Sequence, residues 1–166
     1  MTARLLAILV AVVTVFGALL ADFVIPAGAE QHLHNDAWPP HAKFHDAQYI
    51  VMSILLGGLA LLLLLRPGGA TPSRIRTSCA LLATPWLGLL AAFLFPGTAI
   101  QDPEFDNPSL LGLHPQVLLA GVLLVILATA ALLVNPCSGL HRWRSGREGS
   151  RGDHPQHGQQ TGASSR

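Results

Sequence analysis

Four long runs without a charged residue dominate the chain and leave few folds open to it. Leu5 to Ala21 is uncharged and nearly all apolar, and beyond Asp22 the run continues through Phe23, Val24 and Ile25 to Pro26. Ala47 to Leu65 is a second run, Ser78 to Phe95 a third and Val117 to Val134 a fourth. At about 1.5 Å per residue each makes roughly 27 to 30 Å of helix, close to the thickness of a hydrocarbon core. Backbone in lipid has to satisfy its own hydrogen bonds, so such runs are helices and not strands. The expected fold is all-α, a polytopic membrane protein with a four-transmembrane-helix bundle. Its spans are placed at about 5–25, 41–65, 77–96 and 113–135, within a domain covering 1–137. From 138 to 166 the chain turns to Gly, Ser, Arg, Gln and His, with almost no large apolar residue after Trp143. That stretch cannot bury a core and is expected to be a disordered polar tail.

Charge excludes one class of function and orients the bundle. A formal net charge of +1 supplies no sustained basic field, so nucleic acid is not an expected partner. Two cysteines, Cys79 and Cys137, are too few for a disulfide-built scaffold and are read as small buried residues. Arg4 precedes the first span, Arg66, Arg74 and Arg76 lie between the second and third, and Arg142, Arg144, Arg147 and Arg151 follow the fourth. The other two connections carry Glu30, Asp36 and Asp46 with a single Lys43, and then Asp102, Glu104 and Asp106. Because arginine and lysine near span ends are retained in the cytoplasm, both termini are expected there, with the acidic, histidine-rich loop outside the cell membrane. Ala27-Gly28-Ala29 also has the small residues of a signal-peptidase site, and cleavage there would leave three spans. The apolar run before it is longer than a signal h-region of about 7 to 15 residues, which favours retention.

Chemistry gathers in the connection between the first two spans, which holds four of the eight histidines. Pro39 and Pro40 suit the first turn of a helix, so the second span is expected to begin at or just after Pro40. His41 and His45 are then one turn apart on one helical face, continued by Gln48. Asp22 near the outer end of the first span, His114 near the outer start of the fourth, and Asp102 and Glu104 in the second outer connection are placed in the same layer. A carboxylate at membrane depth costs a few kcal/mol unless paired or solvated, so Asp22 needs a partner, and His41 and His45 are the nearest by depth.

Three readings of this layer stand side by side. His32, His41, His45, Asp22 and Glu104 are the ligand types of zinc or non-haem iron, with His34, Asn35, Gln48, Asp102 and His114 behind them, so a divalent metal is one candidate cofactor. Without a metal, Asp22, His32, His41 and His45 become candidates for acid–base catalysis, since imidazole titrates near neutrality. In the third, Trp38, His41 and His45 form an interfacial belt that anchors the second helix. Gly57, Gly58, Gly88 and Gly121 are read as close-packing positions, and Pro85 as a kink in the third span.

The string Ala21-Asp22, His32, Asn35, Trp38-Pro39-Pro40-His41-Ala42-Lys43-Phe44-His45 and Gln48 resembles an uncharacterised family of small four-helix membrane proteins of bacteria and fungi. Phe95-Pro96-Gly97 followed by Asp102-Pro103-Glu104 is similar to a second signature of that family. The resemblance covers the chain to about residue 135 and implies the four-helix fold and a shared outer site, with no activity attached. This chain departs from it at Asn35-Asp36, where the family has Asn-Pro, and at Gln31, where it has a hydroxyl residue; His34 ranks below His32 as a local feature.

The expected function is therefore a membrane-embedded protein that acts on a hydrophobic small molecule or lipid by metal-assisted or acid–base chemistry of an isomerase or cyclase kind. The alternative is a non-enzymatic binder of a lipid, quinone or metal, or a small subunit of a membrane complex. Expected partners are the bilayer and the hydrophobic molecule, with a homo-oligomer left open.

Overall fold

The computed structural model describes residues 1–106 and 109–134. Five helices follow one another: α1 (Thr2–Leu19), prolonged by a wide π turn over Leu20–Val24, then α2 (Pro26–Ala29), α3 (Pro40–Leu65), α4 (Pro72–Ala92) and α5 (Pro115–Leu133). No strand occurs among the described residues. Every helix after α1 has a proline in its first turn, where the missing N–H costs nothing and the fixed φ suits the helix. The third span begins at Pro72 rather than near 77, because the Thr71 hydroxyl accepts the Arg74 N–H at 3.3 Å and caps a helix that takes in both arginines.

Four segments, Thr2–Val24, Pro40–Leu65, Pro72–Ala92 and Pro115–Leu133, are long and apolar enough to cross a membrane. Their neighbour contacts run α1 to α3, α3 to α4, α4 to α5 and α5 back to α1, with α1 also reaching α4 across the centre. The result is a four-helix bundle with short connections. Its interior is built largely from small side chains, Ala7 and Ala11 of α1, Ala60 of α3 and Ala120 of α5, with Leu82 and Trp86 of α4 between them. Small residues allow close helix approach, and the limiting case is Gly57, where a Cβ would lie 2.6 Å from Val15 and 3.0 Å from the Ala11 carbonyl oxygen. Leu9, Phe16, Leu55, Leu62 and Leu132 face outward. Helices apolar on every side belong in a membrane or deep in a larger core.

Polar links inside the bundle are few and specific. Trp86 Nε1 donates to Thr14 Oγ1 at 3.3 Å, Thr14 Oγ1 in turn donates to the Val10 carbonyl at 2.9 Å, and Ser78 Oγ donates to the Ala60 carbonyl at 3.4 Å. At one end, Arg76 of α4 donates to the Val134 carbonyl that closes α5, a cation on a helix C-terminus. Cys79 is buried, as expected. Cys137 and the polar tail lie outside the described residues. The opposite, polar end carries the π turn, α2, the starts of α3 and α5, and the connection after α4.

Candidate functional site

The π turn sets the site. Its Ile25 N–H reaches back five residues to the Leu20 carbonyl at 2.8 Å, which widens the helix at Asp22. Pro26 then starts α2, and this single turn folds back onto the π turn so tightly that a Cβ on Gly28 would lie 1.9 Å from the Ala21 carbonyl oxygen. Ala29 is fully buried in the same contact zone. The small residues of Ala27-Gly28-Ala29 thus have a packing reason for their size.

Folding back brings His32 over Asp22. His32 Nδ1 donates to the Gly28 carbonyl at 2.8 Å and lies 3.6 Å from Asp22 Oδ1. Because a carbonyl can only accept, Nδ1 must carry the proton, and in the neutral ring Nε2 is left with its lone pair. Nε2 makes no hydrogen bond to any described residue. Asp22 is 5% exposed, makes no hydrogen bond to a described residue, and faces His32 at a distance that becomes an ion pair when the ring is protonated. Trp38 meets the His32 ring edge-on at 5.5 Å between centroids and donates from Nε1 to Asp102 Oδ2 at 3.2 Å, tying the first connection to the second.

His32 therefore faces Asp22 directly and is linked to Asp102 through Trp38, and the other expected residues are not joined to this set. His41 and His45 do pair, Nε2 to Nε2 at 3.1 Å, and His45 Nδ1 lies 3.2 Å from Gln48 Oε1, but all three are exposed. No hydrogen bond or ion pair joins them to Asp22 among the described residues. The reason is the rotation of α3: Ile50, Ser53 and Gly57 form its buried stripe, which turns the 41–45–48 stripe away. The expectation that His41 or His45 partners Asp22 is thereby corrected to His32. Among the described residues no three of His, Cys, Asp or Glu come together to hold an ion, so the expected ligand set, Glu104 and His34 included, does not assemble around one centre. Glu104 is exposed, and His34 is exposed and edge-on to Phe23. Asn35 is a turn builder: it is buried, and its Oδ1 accepts the Ala37 N–H at 2.9 Å.

Three further residues shape the site without having been singled out from the sequence. Asp46 is half-buried, with one carboxyl oxygen lacking a hydrogen-bond partner, and it is close enough to Asp22 and His32 for their charges to interact. Tyr49 and Trp86 line a cavity of about 370 Å³, together with Ala18, Asp22, His32 and Leu119. All four spanning segments contribute to this wall, which is mostly apolar. The buried stripe of α3, running Asp46, Ile50, Ser53 and Gly57 at helical spacing, was the available signal for Asp46.

His114 closes the cavity at the start of α5. Its Nδ1 accepts the Gln116 N–H at 3.3 Å as the helix cap, and burial pushes its pKa below the ordinary histidine value. Both effects favour the neutral ring. The unfolded chain binds a proton at His114 from about pH 6.5 downward and the folded chain only at lower pH, so folding stability falls as pH drops through that interval. Thermal unfolding in detergent at about pH 7.5 and about pH 5.5 checks this. The acid-induced drop in Tm is expected to shrink in His114→Asn, where asparagine caps without titrating. Equal drops in both proteins would contradict the assignment.

Compared with known families, the chain matches over residues 6–134 the model of a family of unknown function, DUF6640. No curated protein and no solved structure matches it.

Proposed function

Starting from a chain that belongs to the DUF6640 family, we propose that its polar end is an acid–base site acting on a hydrophobic small molecule held inside the bundle. One observation carries the reading. A carboxylate that is 5% exposed and has no hydrogen bond to a described residue faces an imidazole of fixed tautomer at the wall of a mostly apolar cavity of about 370 Å³. That volume is within the range of small-molecule sites, which are apolar with a few convergent polar groups. Burying a carboxylate in this way costs stability, and a chain retains such a group where chemistry needs it.

The roles follow from the geometry. His32 Nε2, with its lone pair, takes a proton from the ligand. Gly28 holds the ring by accepting from Nδ1, and Asp22 at 3.6 Å stabilises the imidazolium that forms. Return of the proton to a different carbon or oxygen of the same molecule is an isomerisation and needs no cofactor. In this reading the polar end faces outward and the arginine-bearing end faces the cytoplasm, as the charge asymmetry of the connections supports, and the ligand enters from lipid.

Deuterium exchange tests this reading whatever the product is. Protein purified in mild detergent and moved into D₂O is extracted, and the co-purifying hydrophobic molecule is weighed by mass spectrometry. The reading expects deuterium in that molecule with the wild type, and loss of the molecule from Ala18→Leu, which fills the cavity. A molecule that is bound yet never exchanges would leave a non-enzymatic binder; no bound molecule in either protein would remove the site altogether.

A further inference from the structure

A second, smaller cavity of about 200 Å³ lies against the first. Trp38, Gln101, Asp102 and Phe105 belong to it alone, and Gln31, His32, His114 and Gln116 line both cavities. The dividing wall thus consists of the side chains of two glutamines and two histidines. One chamber lies among the four helices, is mostly apolar and has Asp22 at its wall. The other is formed by the two connections and holds a carboxylate. A pair of this kind fits one molecule with an apolar tail and a polar head.

The charge of the head can be read from what lines the chambers. No lysine or arginine is among the described residues lining either cavity. Asp102 Oδ2 accepts the Trp38 N–H, and Oδ1 makes no hydrogen bond to a described residue. Of the two histidines in the wall, His114 is engaged as a neutral acceptor, and His32 Nδ1 is committed to the Gly28 carbonyl. A carboxylate or phosphate head in this chamber would meet Asp102 with no fixed cation to offset it, and like charges at short range repel. An alcohol would gain one hydrogen bond to the carboxylate and no opposite charge to pair with it. An ammonium would gain a hydrogen bond and an ion pair with Asp102.

We infer that the ligand is a single-chain amphiphile with an amine head, the tail in the apolar cavity and the head in the Asp102 chamber. This rests on the reading that the apolar cavity takes a hydrophobic molecule, and it adds the substrate class. The head would then lie next to His32, so that carbons near the nitrogen are the ones within reach of the base.

Trp86 lines the tail chamber and reports on it. The full chain carrying Trp143→Phe is placed in nanodiscs of zwitterionic lipid and titrated with an ω-bromo alkylamine, alkanol or alkanoate of one chain length. Quenching that disappears when Trp86→Phe is added belongs to the cavity. The inference expects Trp86 to be quenched by the amine at roughly tenfold lower concentration than by the alkanol, the advantage of pairing opposite charges. Asp102→Asn, which keeps an acceptor for Trp38, should remove that advantage by weakening the amine more than the alkanol, while Asp102→Glu restores part of it. If alkanol or alkanoate quenches as well as the amine, or the preference for amine survives Asp102→Asn, the inference falls and the cavity reading stands. If none of the three quenches Trp86, both fall.

Discussion

Replacing Gly28 by alanine lowers folding stability by about 2 to 3 kcal/mol, the cost of forcing a methyl group into a filled space. The new Cβ would sit 1.9 Å from the carbonyl oxygen of Ala21 and 3.0 Å from its carbonyl carbon, both backbone atoms of the π turn that cannot swing aside. Relief requires α2 to lift. Because the Gly28 carbonyl also holds His32 Nδ1, lifting α2 carries the imidazole away from Asp22 and costs function together with stability. Gly58→Ala is the matched control, since a Cβ there meets nothing within 4 Å and alanine is the better helix former. Thermal unfolding of both variants in detergent checks the pair: Gly28→Ala should melt well below the wild type and Gly58→Ala at or slightly above it. Equal Tm values for the two variants would mean that α2 is not seated on the π turn.

The second large effect separates catalysis from stability. His32→Gln keeps a side chain of similar length with hydrogen-bonding capacity, but no group that takes a proton near neutrality. The rate of deuterium entry into the bound molecule should fall by roughly 10² to 10⁴, the usual contribution of a positioned general base. Asp22→Asn should also slow exchange, because the imidazolium loses its carboxylate. Its effect on stability has the opposite sign: replacing a buried carboxylate that bonds to no described residue by a neutral amide should raise stability by ~1 kcal/mol. A gain in stability at the expense of function marks a residue kept for chemistry. If Asp22→Asn instead unfolds the protein while exchange per folded molecule is unchanged, Asp22 is a structural residue and the proposed role is wrong.

The helices were legible in the sequence because lipid leaves the backbone only one way to bond, and because Pro40 stands where a first turn begins; the matching signals at Pro72 and Pro115 went unread. The polar end was legible as a region and not as a set of contacts. The i, i+4 spacing of His41 and His45 does put the two rings together, but spacing within a helix says nothing about which way that helix is turned. Rotation of α3 is set by Gly57 and Ser53 packing inward, residues 8 to 16 positions further along the chain than the histidines. The pairing of Asp22 with His32 depends on a π turn and a one-turn helix that no hydrophobic period announces. Its trace in the sequence is Gly28, which composition also fits to a cleavage motif. The meeting of Trp38 with Asp102 spans 64 positions and is decided by tertiary packing alone.

Proximity of residues 22 and 32 underlies the proposed chemistry, and a short thiol cross-linker reads it directly. In a Cys79→Ser, Cys137→Ser background, Asp22→Cys is paired either with His32→Cys or with His45→Cys and treated with a two-carbon bis-thiosulfonate. The 22–32 pair should be linked rapidly and in high yield, and the 22–45 pair should remain unlinked, as judged by the mass of the intact protein. Linkage of 22 to 45, with 22 to 32 left open, would place the exposed histidine pair at the carboxylate and overturn the site described above.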